Sequence, residues 1–246
     1  MAWDLKGQVA VVTGGGSGIG SAVAKMLFSH GCRVVCGGRT LSKLQEVKQS
    51  IAADSSNFLV HEIDVSCEKS VHQFFEFVRQ KFGNTDILVN SAGVNVKLRT
   101  MQELSIEDWN RMLQINSSGP FFCAREVLAG MREKKNGLVI NISSVAGLRS
   151  GPLGGIGYNS SKFAVTGFGI CLGSEEREAG IRVSNIYPGE VDTPILKDRP
   201  RPVTEEHRAR ILQPEDVSAA VEMVVKLPPR ARIPELTIIP TVQDFV

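Results

Sequence analysis

Long apolar runs are missing from this 246-residue chain, and with them any segment able to span a bilayer. The N-terminus has no basic stretch followed by an apolar one, so no signal peptide is expected. Cysteine is sparse: Cys32, Cys36, Cys67, Cys123 and Cys171 form no C-x-x-C pair and no zinc-ligand spacing. An odd, scattered set excludes a disulfide framework, predicts no bound metal and reads as reduced thiols in a cytoplasmic protein. An excess of one charge is absent too. With 28 Lys and Arg against 26 Asp and Glu, the formal net charge is +2, which excludes nucleic acid or a membrane surface as the expected partner. What is present, 42% hydrophobic and 22% charged residues, suits one domain (1–246) with a full core, two small domains being the alternative.

Glycine, by contrast, is concentrated where it matters. The run Val9-Ala10-Val11-Val12 stops at Thr13-Gly14-Gly15-Gly16-Ser17-Gly18-Ile19-Gly20, and an apolar helical pattern (Ala22, Val23, Met26, Leu27) follows at once. That reads as strand, tight turn and helix. Glycines let the backbone turn sharply and approach a pyrophosphate closely, while the N–H groups and positive dipole end of the new helix face the phosphates. The spacing is T-G-x-x-x-G-x-G rather than G-x-G-x-x-G, and in this it resembles the classical type of the short-chain dehydrogenase/reductase family.

Strand-like and helix-like patterns alternate from there onward. Strands are expected at Val9–Thr13, Arg33–Gly37, Phe58–Asp64, Ile87–Asn90, Leu138–Ile142, Ile181–Tyr187 and Leu236–Ile239. Helices are expected at Gly18–His30, Leu41–Ala53, Cys67–Phe82, from Ser105 as N-cap to about Lys135 with a break at Gly119-Pro120, at Tyr158–Ala179, and from Pro214 to about Lys226. Seven short apolar strands separated mainly by helices predict an α/β fold: a single Rossmann domain whose doubly wound, seven-stranded parallel sheet is covered by helices on both faces. The Pro- and charge-rich stretch around 193–213 is expected to be a mobile loop over a site.

The second strand ends Gly37-Gly38-Arg39, and no acid occurs between Gly20 and Glu46. An acid about 20 residues beyond the glycines would bond the adenine ribose hydroxyls; here Arg39 is placed instead to meet a 2′-phosphate, with the small Gly37 and Gly38 leaving room for it. NADP(H) is therefore expected in preference to NAD(H), the bland alternative being a solvated loop arginine. Asp64 closes the third strand, as an acceptor for the adenine amino group or as a turn residue. Asn90-Ser91-Ala92-Gly93 ends the fourth, its small residues letting a flat ring pass close to the backbone.

Tyr158 and Lys162 are four residues apart and share one face of a helix. A cation beside the phenol would stabilise phenolate and lower its pKa. Upstream lie Ser143-Ser144, followed by a glycine-rich loop; a serine there would polarise a carbonyl and stabilise oxyanion charge. Asn116, a poor mid-helix residue, suits a kink with a freed carbonyl.

Family resemblance ties these together, in order, over residues 9–193. It implies cofactor contacts at Thr13, Gly14, Gly16, Ser17, Gly18, Ile19, Gly20, Asp64, Val65, Asn90, Ala92, Gly93, Tyr158, Lys162, Pro188, Gly189, Val191 and Thr193, with Ser91 a departure from the usual second Asn. It implies a catalytic set of Asn116, Ser144, Tyr158 and Lys162, with Ser143 the competing serine, and a homodimer or homotetramer. The implied activity is hydride transfer between nicotinamide and a small carbonyl or secondary alcohol. The rivals are an idle NADPH-binding sensor or scaffold, a 3-oxoacyl reductase on carrier-bound chains, and an isomerising or dehydratase enzyme. The last fifty residues match less clearly, which weakens the acyl-carrier reading. Lys197, Arg199, Arg201, His207, Arg208 and Arg210 either greet an acidic substrate or simply solvate a loop.

Overall fold

Along the first strand, Val9–Thr13 (β1), successive side chains enter opposite cores: Val9 and Val11 join one buried cluster, Ala10 and Val12 the other. A computed structural model describes residues 3–52 and 54–244. In chain order β1 is followed by α1 (Gly18–Ser29), β2 (Arg33–Gly38), α2 (Leu41–Ala52), β3 (Phe58–Glu62), α3 (Glu68–Phe82), β4 (Ile87–Asn90), α4 (Ile106–Leu113), α5 (Gly119–Lys134), β5 (Gly137–Ile142), α6 (Ile156–Glu175), β6 (Ile181–Pro188), α7 (Glu205–Arg208), α8 (Pro214–Val225) and β7 (Glu235–Ile238).

The strands form one parallel sheet in the order β3-β2-β1-β4-β5-β6-β7. One face is covered by α1, α2 and α8, through Val23, Leu27, Leu44, Val217 and Val221; the other by α3, α5 and α6, through Phe74, Phe75, Val127, Met131 and Leu172. Each such side chain contributes about 1.5–3 kcal/mol by leaving water. The expected single, doubly wound domain is what forms. Strand order reverses between β1 and β4, so a crevice opens where their carboxyl ends part.

The elements fall where the pattern placed them, with local shifts. β3 ends at Glu62 rather than Asp64, because Asp64 is taken into a turn with Ser66. The helix expected over Leu41–Ala53 runs to Ala52, and Ala53 lies outside the described residues. α6 begins two residues before Tyr158 and gives way after Glu175 to a tighter turn, Arg177–Ala179, that closes on left-handed Gly180 (φ 73°). Ser105 caps α4, its hydroxyl accepting from the Asp108 N–H at 3.0 Å.

The long helix expected from Ser105 breaks one turn earlier than Gly119-Pro120. Residues Gln114–Ser118 form a π-helical turn between α4 and α5. Asn116 anchors it from two sides: its Oδ1 accepts from Val94 N–H (2.8 Å), and its Nδ2 donates to Val94 O (2.9 Å) and to Ser161 Oγ on α6 (2.9 Å). Pro120 then sits in the first turn of α5, where its missing N–H costs nothing. Between β6 and α8 the chain makes two short helical turns, Pro194–Asp198 and α7.

Candidate active site

The carboxyl edge of the sheet carries the glycine turn. Gly14 needs its positive φ of 67°, and a Cβ on Gly20 would lie 2.4 Å from Gly14 O, so α1 presses directly on the turn it follows. Ser17 precedes α1 in extended backbone with no side-chain cap, and the first turn of α1 has no acid. Its leading N–H groups are therefore left for an outside acceptor, which is the arrangement a phosphate needs.

A groove runs from this turn in both directions. Toward one end it is lined by Gly16, Asp64 and Val65; toward the other by Gly18, Ile19, Gly20, Tyr158, Lys162, Pro188, Val191 and Thr193, with Gly14, Ser17, Arg39, Ala92 and Gly93 among those common to both. Those residues could hold a nicotinamide dinucleotide: unpaired helix N–H groups at the middle, an exposed arginine beside them, and a Tyr–Lys pair toward the second end. Arg39 forms no ion pair among the described residues.

Three expected cofactor contacts, Thr13, Asn90 and Gly189, and the expected catalytic Asn116 have their side chains or N–H groups engaged within the fold. Thr13 is buried, and its Oγ1 accepts from the N–H groups of Ser91 (3.2 Å) and Ala92 (3.3 Å), tying the two strand ends together. Asn90 starts a ladder across three strands, donating to Asn141 Oδ1 (2.9 Å), while Asn141 donates to Asn185 Oδ1 (3.0 Å). Gly189 gives its N–H to Ile238 O (2.8 Å), and Asn116 spends its side chain on the π-helical turn. None of these four lines the groove. Their small or polar character serves the edge that shapes the site. Gly37 also departs from its expected role: a Cβ there would meet Ile63 at 2.6 Å and Phe74 at 2.9 Å, so it makes room for the core, and only Gly38 faces the groove.

Ser144, Tyr158 and Lys162 come together beneath the other end. Ser144 sits in extended backbone after β5, its Oγ accepting from Ala146 N–H (3.1 Å), and lines one lobe with Tyr158. Ser143, the competing serine, borders the groove beside Tyr158 and Lys162, but it is buried and its hydroxyl donates to Lys162 O (3.3 Å). The Lys162 ammonium lies 5.6 Å from the centre of the Tyr158 ring and donates to Ile142 O (2.9 Å). Burial lowers Lys162 to a pKa of about 8. Burial raises Tyr158, while the Ser144 hydrogen bond and the nearby Arg99 charge pull it back down. Arg99, which the motif reading did not name, is thus a second cation beside the phenol, in addition to Lys162.

Several groups at the site carry no motif, and of these only Arg199 was expected, as a loop cation that greets an acidic substrate or is solvated. Lys43, one helical turn beyond Arg39, lines the same part of the groove; the Arg-x-x-x-Lys spacing was its only signal. Arg99, Glu190, Arg199 and Gln243 line an adjoining lobe with Ser144 and Tyr158. Glu190 accepts from Arg199 (3.0 Å) and from His207, and Asp192 from Arg208. Burial pushes the Glu190 carboxyl up, but the bonds from His207 and Arg199 outweigh it and hold the group below its usual range. Much of the basic character of the 193–213 segment is therefore spent on the segment after β6.

Comparison with known proteins agrees with this geometry. The family model for short chain dehydrogenases matches residues 8–203. An uncharacterized oxidoreductase of Staphylococcus saprophyticus is 34% identical over 239 residues, covering 96% of this chain and 99% of its own. Among solved structures, the closed form of a serine dehydrogenase complexed with NADP+ superposes with a TM-score of 0.88 at 30% identity, over 97% of each chain. A 3-ketoacyl-(acyl-carrier-protein) reductase of Brucella melitensis complexed with NADH gives 0.86 at 27% identity, over 95% of this chain and 97% of that one.

Proposed function

The chain belongs to the short-chain dehydrogenase/reductase family, whose members are oxidoreductases of CH–OH and C=O groups, and we propose that it uses NADP(H) to interconvert a small carbonyl compound and its secondary alcohol. The observation that carries this reading is the convergence of Ser144 and Tyr158 on one lobe, with Lys162 5.6 Å from the phenol ring, at the end of a groove that starts on a bare helix N-terminus. When bound, the dinucleotide supplies a hydride for the carbonyl carbon. Ser144 holds the carbonyl oxygen by its hydroxyl, and Tyr158 gives that oxygen a proton. Lys162 carries positive charge beneath the phenol and faces the ribose side of the groove. The π-helical turn at Asn116 leaves a carbonyl for a water that resupplies the proton. Arg39, with Lys43 beside it, recognises a 2′-phosphate. The 193–213 segment opens and closes over the substrate.

The protein is expected in the cytoplasm, in keeping with five unpaired cysteines. Exposed Phe121 on α5 and Phe163 and Ile170 on α6 offer a face for a homodimer or homotetramer. Neither an idle NADPH sensor nor a carrier-bound substrate gains a specific observation in its favour: the proton donor set is complete, and the loop cations that would greet a carrier are partly paired.

Fluorescence titration with NADPH and NADH, followed by turnover assays on small ketones, tests the reading. NADPH is expected to bind at least about tenfold tighter, and Arg39→Ala to narrow the gap; charge-assisted contacts of this kind are worth a factor of that order. Equal affinities would overturn the dinucleotide preference and leave the oxidoreductase standing. Binding of neither would remove the site assignment.

A further inference from the structure

Arg99 is a buried cation that forms no ion pair among the described residues. It lies between β4 and α4, 5% exposed. Its Nη1 donates to Leu153 O (2.8 Å) and its Nη2 to Asp198 O, while its buried Nε–H has no partner. Among the described residues no carboxylate forms an ion pair with it. Burial lowers its pKa and the Arg199 charge lowers it further, opposed by Asp198 and Tyr158. A buried guanidinium held only by carbonyl dipoles is expensive, and such groups are kept where a partner of opposite charge arrives from outside. The lobe it lines, about 250 Å³ in volume and shared with Ser144 and Tyr158, is bordered among the described residues by a single carboxylate, Glu190. That carboxylate is already engaged by Arg199 and His207.

Resting on the oxidoreductase reading, we propose that the substrate is a short hydroxy acid or oxo acid, whose carboxylate supplies the missing negative charge to Arg99. In oxidation the carbinol carbon gives its C–H hydrogen with the bonding pair to NADP+, and its O–H proton passes to Tyr158; the C=O bond forms and the carboxylate is unchanged. Arg99 is then a specificity-determining residue, touching the part of the substrate that does not react. The alternative, a purely structural tie between the 91–105 and 193–213 segments, predicts no preference between charged and neutral substrates.

The test is a series of hydroxy acids with the carboxylate one to three carbons from the carbinol, each paired with its methyl ester, assayed with NADP+ and the intact protein. The acids are expected to show kcat/KM at least tenfold above their esters. Arg99→Gln should bring that ratio near one, and Arg99→Lys should restore part of it. Independently of turnover, the preferred acid should raise the melting temperature of the cofactor-free protein while its ester does not. Esters used as well as acids throughout the series would overturn the proposal, as would an unchanged ratio in folded Arg99→Gln. Should Arg99→Gln not fold, the acid-to-ester ratio of the wild type and the melting shift still decide. A neutral diketone reduced with NADPH while every acid is inert would refute the anionic substrate alone; failure to bind either NADPH or NADH would refute the underlying reading.

Discussion

Tyr158 is pulled in two directions: burial favours the neutral phenol, and the Ser144 hydroxyl and Arg99 charge favour the phenolate. Lys162 is pulled in one, downward, by burial. Its folded pKa of about 8 lies below its ordinary 10.5, so the unfolded chain binds more protons between those values. The stability contribution of this residue therefore grows as pH rises from about 8 to 10.5 and is least below 8. NMR titration of a labelled Lys162 side chain should show its resonance moving through about pH 8; a Lys162 resonance that moves only near its ordinary 10.5 would contradict the burial argument. At this scale the sequence was legible where a motif fixes a residue against its neighbours. Tyr158 and Lys162 are one helical turn apart whatever the fold, and Arg39 ends a strand. Arg99 was not legible, because its burial and missing partner depend on Leu153 and Asp198, which are remote in sequence.

Two elements shape the groove, the glycine turn before α1 and the π-helical turn before α5. Gly20→Ala places a methyl group 2.4 Å from Gly14 O, a backbone atom that cannot swing away. Overpacking of this kind costs about 1–3 kcal/mol, and here the turn itself must move. A lower melting temperature and at least tenfold weaker NADPH binding are expected; unchanged binding would show that the turn does not hold the dinucleotide. Asn116 makes three buried hydrogen bonds, two to Val94 and one to Ser161. Asn116→Ala leaves the Val94 N–H and carbonyl without their partner at about 1–3 kcal/mol each, while Ser161 keeps its bond to Tyr158 O, and circular-dichroism melting should show a clear loss of stability; a melting curve like the wild type would sink that anchoring role. The sequence located this irregularity within one turn, because Asn is a poor helix former. Its exact form was hidden, since a π-helical turn is held by Val94 and Ser161 on other elements. Element ends drifted for a similar reason, as with Asp64, which a local turn with Ser66 takes out of β3.

At the scale of the whole molecule, alternating apolar patterns and right-handed crossovers left few topologies open, and the observed strand order puts the crevice between β1 and β4. What the pattern could not convey is how the ends of distant segments pair there, such as Glu190 with Arg199 and His207. A ligand that spans this crevice binds only the folded chain. At a hundredfold excess over its dissociation constant, NADPH should stabilise the protein by about 2.7 kcal/mol, read as a rise in melting temperature larger than that given by the same concentration of NADH; no rise with either would contradict the dinucleotide groove. The most direct test of the account is the path of the hydride. The protein is incubated with NADPH deuterated at one or the other face of the nicotinamide C4 and a panel of small ketones and oxo acids, and the alcohol product is examined by mass spectrometry. One deuterium at the carbinol carbon, from one face only, with turnover lost by about 10²–10⁴-fold in Tyr158→Phe, is the predicted result. No deuterium in any product from either face, or equal transfer by Tyr158→Phe, would contradict it.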